Sequence, residues 1–314
     1  MARPGLRVLA GAALVVVSCS AVEGSAALSS TVFDTLNPAA VAAWRQAFGA
    51  LVLLAFLRPR LGGRTGAEWT SIGALGAAIA TMNVAFYQAV DLVPLGVAAT
   101  LLYLGPFALA VAHTEVGWHL TIPVLALVGV VLVSRPTGDA DTVGICVGLV
   151  AAGALAAYTL ASRRLGRAGG LDRLALAVTV SALLLSPLSA SSANAVQPAH
   201  WLVLVASGVV GVGVAFPCDF TALKLAGTRV VATLFALDPV IGALIGAIAL
   251  SQQLTLAPLA GIAIITIAGA ATTATRRDKP APRQRHVPAS GATAEPISNL
   301  SPSVNPCATP TGRR

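Results

Sequence analysis

Ten apolar runs, most of them close to the length needed to cross a bilayer, leave this chain little choice of architecture. They occupy residues 6–28, 38–57, 69–90, 95–112, 120–133, 143–162, 174–189, 201–223, 228–250 and 256–273. A helix needs about 20 mainly apolar residues to span a hydrocarbon core about 30 Å thick. Charged residues make up 10% of the chain, against roughly a quarter in a soluble domain. Such a chain cannot cover itself with a polar surface, so its solvent is mostly lipid. The expected fold is all-α and integral to the membrane, with ten transmembrane helices.

The net charge of +8 would suggest nucleic acid in a soluble protein. Here the basic residues sit in loops, with no aromatic-basic patch, and they set topology instead. With Arg3 and Arg7 inside, the inner loops carry Arg58, Arg60 and Arg64, then Arg163, Arg164, Arg167 and Arg173, then Lys224 and Arg229. The outer loops hold only Arg135. That alternation needs ten spans and puts both termini in the cytoplasm. A competing reading makes residues 8–17 the core of a signal peptide, with Ser18-Cys19 as a lipoprotein box. Cleavage there leaves nine spans and breaks the charge pattern.

Two of the runs answer one another. With Pro106 laid on Pro239, Val97 matches Val230, Ala99 matches Ala232, Thr100 matches Thr233, Leu101 matches Leu234 and Leu104 matches Leu237. Gly105 then stands opposite Asp238. Internal self-similarity in a membrane chain points to a transporter built from two halves. Five spans per half is an odd number, so the second half enters from the opposite side. The expected organisation is an inverted pair of five-helix repeats, residues 1–137 and 138–275. Residues 276–314, rich in Pro, Ser, Thr and Arg, read as a disordered cytoplasmic tail.

An ionisable side chain at the centre of a span costs about 2.5–3.5 kcal/mol and is a functional hypothesis by default. Asp238 lies about ten residues into its span, or about 15 Å at 1.5 Å per residue, which is mid-bilayer. Such an acid can carry a proton across or pair with a substrate amine. The plainer alternative is a hydrogen bond to a neighbouring helix. Glu23 and Arg45 lie at similar depths in adjacent spans and are expected to pair, Arg45 as a structural or gating residue and Glu23 with a share in substrate binding. Pro106 and Pro239 each free a backbone carbonyl, which in a membrane must face protein, water or a cavity. Both read as kinks in cavity-lining helices. Asn83 with Tyr87, and Thr100 with Tyr103, share helix faces. Together with Tyr158 they suit a small amphipathic solute, although interhelical hydrogen bonding is the commoner use of each alone. Asp219, near the inner end of its span, is a gate candidate or a solvated interfacial acid.

The four cysteines, Cys19, Cys146, Cys218 and Cys307, show no metal-ligand spacing. No His cluster, GxSxG, HExxH or phosphate-binding loop occurs. No cofactor, metal or enzymatic activity is expected, and uphill transport would draw on a gradient. The expected partners are a small-molecule substrate, membrane lipid and protons, with a homodimer left open and no nucleic acid.

The motifs then amount to a family likeness. Ala40-Val41-Ala42-Ala43-Trp44-Arg45, Met82-Asn83, Phe86-Tyr87-Gln88-Ala89-Val90, Val93-Pro94-Leu95-Gly96-Val97-Ala98 and Gly105-Pro106 resemble the EamA-type group of the drug/metabolite transporter superfamily. Within that group they are most similar to bacterial threonine/homoserine exporters. Asp238-Pro239-Val240 matches a position where the family more often has glutamate. Glu23 departs from the uncharged polar residue usual in such exporters and leaves the substrate's charge open. The resemblance covers roughly residues 6–273. It implies an inner-membrane exporter of amino acids or related metabolites. Efflux of drugs or other toxic cations is the alternative substrate class. A passive pore or membrane-embedded enzyme is the alternative of another kind.

Reporter tags fused after Arg314 and within the loop at Gly62 should both report from the cytoplasm. A periplasmic signal from either would break the ten-span reading.

Overall fold

Wherever it is described, the computed structural model answers each apolar run with helix. It describes residues 4–112, 139–165 and 170–253, together with 128, 256, 259–264, 266 and 267. The helices are α1 (Pro4–Ser30), α2 (Pro38–Leu57), α3 (Gly66–Leu92), α4 (Leu95–Ala112), α5 (Asp139–Leu165), α6 (Leu171–Ser192), α7 (Pro198–Gly208), α8 (Ala215–Leu234) and α9 (Asp238–Ala249). A π turn, Val209–Val214, joins α7 to α8, and a 3₁₀ turn, Phe235–Leu237, joins α8 to α9. No strand occurs among the described residues. Six helices there are long and apolar enough to cross a membrane: Leu6–Ser30, Pro38–Leu57, Gly66–Leu92, Thr142–Ser162, Leu171–Ala195 and Pro198–Ala226. Two shorter apolar helices are Leu95–Gly105 and Phe235–Ala249. The tail lies outside the described residues, as do all of the expected fifth span but residue 128 and half of the expected tenth.

Local chemistry sets the helix ends. Asn37 accepts a hydrogen bond from the Ala39 N–H at 2.9 Å, and Pro38 opens α2. Pro there loses nothing, because its missing N–H would have had no partner. Thr65 and Glu68 form a reciprocal capping box at the start of α3, and Glu68 also pairs with Arg173 near the start of α6. The start of α4 is capped from far along the chain: the Leu95 N–H donates to Oε1 of Gln252 at 3.0 Å.

Helix directions follow from the contacts of α1. Its residues Gly11, Ser18 and Ser25 meet Ala222, Ala215 and Gly211 in turn, so α7 and α8 descend against it. α9 meets the same helix at Glu23, whose carboxylate lies against Gly242.

Glycine and alanine let these helices approach closely, as expected where no hydrophobic force drives helices together in lipid. Gly76 of α3 lies on Ala177 and Val180 of α6, and Gly148 of α5 lies on Leu101 of α4. Gly96 of α4 lies on the backbone of Ala243 in α9, so the two self-similar stretches pack on each other. The main core gathers Val41, Phe86, Tyr87, Leu101, Leu204 and Ala243, among others. Large apolar side chains stay bare on the outside, including Phe56 at 83% and Ile248 at 81% exposed, as suits a lipid-facing surface.

A methyl at Gly96 would stand 2.7 Å from the Ala243 Cα. Gly96→Ala should therefore destabilise by about 1–3 kcal/mol through overpacking, read as a lower unfolding temperature in detergent. At Gly73 a methyl meets nothing within 4 Å, and Gly73→Ala should hold or slightly raise that temperature. Equal effects of the two would contradict the close α4–α9 crossing.

Candidate functional site

Helix α1 carries two buried polar problems on opposite sides. Glu23 and Ser25 are two residues apart, about 200° around a helix of 3.6 residues per turn. Cys19 precedes Glu23 by four residues and shares its face.

On the Glu23 face α1 meets α9. Glu23 and Asp238 are 0% and 1% exposed. Their side chains face each other, with Cys19 and Tyr103 beside Asp238. No carboxylate oxygen of either makes a hydrogen bond to a described residue. Gly242 makes room for this arrangement, since a methyl there would lie 3.0 Å from Oε2 of Glu23. The Asp238-Pro239 pair explains the local fold. Pro239 cannot donate into a preceding turn, and the chain makes the 3₁₀ turn Phe235–Leu237 before starting afresh as α9. Asp238 therefore sits in the first turn of a new helix. The positive end of a helix favours an acid there by about 0.3–1 kcal/mol, up to about 2 when partly buried. That falls short of the roughly 2.5–3.5 kcal/mol cost of a mid-membrane charge, so the pair needs a further partner.

On the Ser25 face α1 meets α2, α3 and the π turn. Arg45, 4% exposed, donates from Nη1 to Oδ1 of Asn83 at 2.6 Å and from Nη2 to Oγ of Ser25 at 3.1 Å. Its guanidinium lies 4.8 Å from the centre of the Tyr87 ring, and its Nε is buried without a partner. Tyr87 is held in turn by Ser29 at 3.3 Å. Hydrogen bonds to charged groups contribute about 1.5–3 kcal/mol each, and a desolvated cation–π contact about 2. Together they can offset the cost of burying Arg45 without a counter-ion. A cavity of about 50 Å³ opens beside it, lined by Val22, Arg45, Met82, Asn83, Phe86, Tyr87, Leu102, Gly211 and Phe216.

The structure departs from the sequence expectations at several points. The Glu23–Arg45 ion pair is not made, because the two side chains leave α1 and α2 towards different neighbours. Thr100 turns its hydroxyl back to Gly96 O at 2.6 Å and is satisfied within its own helix. At Pro239 the helical path is distorted into the 3₁₀ turn Phe235–Leu237 and continues as α9. Pro106 lies in α4, and its side chain is outside the described residues. Asn83 and Tyr87 do converge, on Arg45, and Tyr103 joins the acid pair. Asp219, half-buried on α8, faces Ser18 and Tyr158, with Oδ1 buried and unpartnered. Tyr158 packs against the second apolar cluster, with Ile72 and Leu176.

Sequence reasoning missed Ser25, Cys19, Gly242 and Gly211. At Gly211 a methyl would overlap Ser25 Oγ and Arg45 Nη2. The π turn that contains it, a form frequent at functional sites, left one signal in the sequence: two glycines in the run Val-Val-Gly-Val-Gly-Val.

Residues 142–274 match the EamA-like transporter family. That segment is similar to an EamA-type transporter domain. The likeness extends well beyond that segment. The chain is 27% identical over 270 residues to the threonine/homoserine exporter RhtA of Escherichia coli (strain K12), covering 84% of this chain and 91% of that one. It is 26% identical over 277 residues to RhtA of Salmonella typhimurium (strain LT2), covering 86% and 94%. A solved crystal structure shares the fold with a TM-score of 0.57 and 21% identity, covering 86% of this chain and 98% of that one. The family and the relatives are transporters, and with the six membrane-length helices they support a multi-pass membrane transporter rather than an enzyme.

Gly211→Ala in this transporter should displace the Arg45 fork and lower its unfolding temperature, at a cost of about 1–3 kcal/mol. An unchanged melting curve would mean the π turn yields without disturbing Arg45.

Proposed function

We propose that this protein is a secondary exporter of threonine- or homoserine-like amino acids, coupled to protons and working by alternating access. Ten helices in two inverted repeats, residues 1–137 and 138–275, enclose the pathway, and the tail 276–314 lies in the cytoplasm with the N-terminus. The observation that carries the reading is the Glu23–Asp238 pair: two buried carboxylates, face to face, without a hydrogen bond among the described residues. An acid pair closed off from water has two natural partners, a proton and a substrate ammonium, and competition between them couples one flux to the other. Tyr103 and Cys19 border the pair. Asp219 with Ser18 and Tyr158 forms a further polar station, about 7.5 Å along α1 between Ser18 and Glu23. The name of the relatives supports amino-acid export, and so does a buried cation that could take a carboxylate. A binding site for drug-like cations would favour acids alone.

In proteoliposomes, an imposed pH gradient should drive threonine or homoserine uphill. Asp238→Asn should reduce that flux about tenfold or more, and Glu23→Gln should act in the same direction. Undiminished flux in Asp238→Asn would remove the coupling role.

A further inference from the structure

The Arg45 cluster looks at first like a structural staple, yet its chemistry is unusual for one. Arg45 is 4% exposed, and its guanidinium is held by an amide oxygen, a hydroxyl and a ring face. All three are neutral. No carboxylate stands within 4 Å of it among the described residues. Its positive charge thus has no carboxylate in contact with it, and Nε, one of its five N–H donors, is buried with nothing to bind. The neighbouring cavity has apolar walls from Met82, Phe86, Leu102 and Phe216. Low-dielectric walls strengthen any ion pair formed inside them.

We propose that Arg45 is a binding residue for the carboxylate of the transported metabolite, with Asn83, Ser25 and Tyr87 as the residues that position it. The inference deepens the export reading and rests on it for the substrate class. A guanidinium is the side chain best matched to a carboxylate, because its planar fork can donate two parallel hydrogen bonds. A cavity needs only about 10–15 Å³ of this kind of space to hold a water. At about 50 Å³ this one takes a carboxylate head and not a whole amino acid. The remainder of the ligand has to extend out of it. Val22 lines the cavity, and the next residue of α1 is Glu23, whose side chain points about 100° further round the helix. The Arg45 fork and the acid pair lie on different sides of α1, so the charges of one α-amino acid do not meet both at once, and Arg45 is the site for its carboxylate alone.

The test is thermal unfolding of the purified full-length protein in detergent, at matched chloride, with ligands that differ only in charge. Threonine, homoserine and 3-hydroxybutyrate carry a carboxylate. Threoninol and threonine amide do not. The carboxylates should raise the unfolding temperature by about 3 °C or more at saturation, and their neutralised counterparts should not. Asn83→Asp then presents a built-in carboxylate to Nη1 with almost no change in shape. It should abolish the preference for threonine over threoninol. A staple role predicts the reverse, a protein as stable as before with its preference intact. Equal effects of carboxylates and their counterparts on the unmodified protein would overturn the proposal. So would a preference that survives Asn83→Asp. If that variant does not fold, the unmodified protein's preference decides, with Arg45→Lys, which keeps the charge and loses the fork, expected to weaken it about tenfold. Stabilisation by 3-hydroxybutyrate but by neither amino acid would keep the anion site and overturn the substrate of the export reading. Export of threonine with no carboxylate preference would do the opposite.

Discussion

A charge enclosed by a membrane protein has to be answered by something, and α1 poses that demand twice. On one side it presses Glu23 against Asp238, where neither acid finds a hydrogen bond among the described residues. On the other it offers Ser25 to Arg45, whose charge is held by neutral groups. The rest of the described structure serves these two meetings. Small residues at Gly96, Gly211 and Gly242 bring α4, α9 and the π turn close enough, and the 3₁₀ turn places Asp238 at a helix start.

The two sites also differ in kind. The energies available to Arg45 suffice to hold it without a counter-ion, so its geometry is settled before any ligand arrives. The acid pair has no comparable support, since the helix terminus contributes less than burial costs. One site is preorganised and the other is left wanting a partner. That asymmetry suits a transporter, which has to recognise a solute firmly at one end and exchange partners at the other.

Much of the helical framework was legible in the sequence because lipid imposes a length and a composition on every span. The bounds of the second and fourth runs, 38–57 and 95–112, coincide with α2 and α4. Asp238 was legible too, as an acid stranded in an apolar run. The identity of its partner was not. Depth along a helix can be counted from sequence, and on depth Glu23 and Arg45 agree. Which way each side chain turns depends on how α1 rotates against α2 and α9, and that is decided by packing. The same holds for Thr100, whose hydroxyl had a nearer acceptor in its own helix than any across the site.

The π turn at Val209–Val214 has a bearing on how this chain is compared with its kin. A turn closed by bonds from i to i+5 holds about one residue more than an α turn, and one residue is worth about 100° of rotation. A relative without the bulge should align only with a single-residue gap in that segment. Threading it without the gap would swing Asp219 and everything after it on α8 a quarter-turn or more away from α1, and would point the wrong side chains at Ser18 and Tyr158.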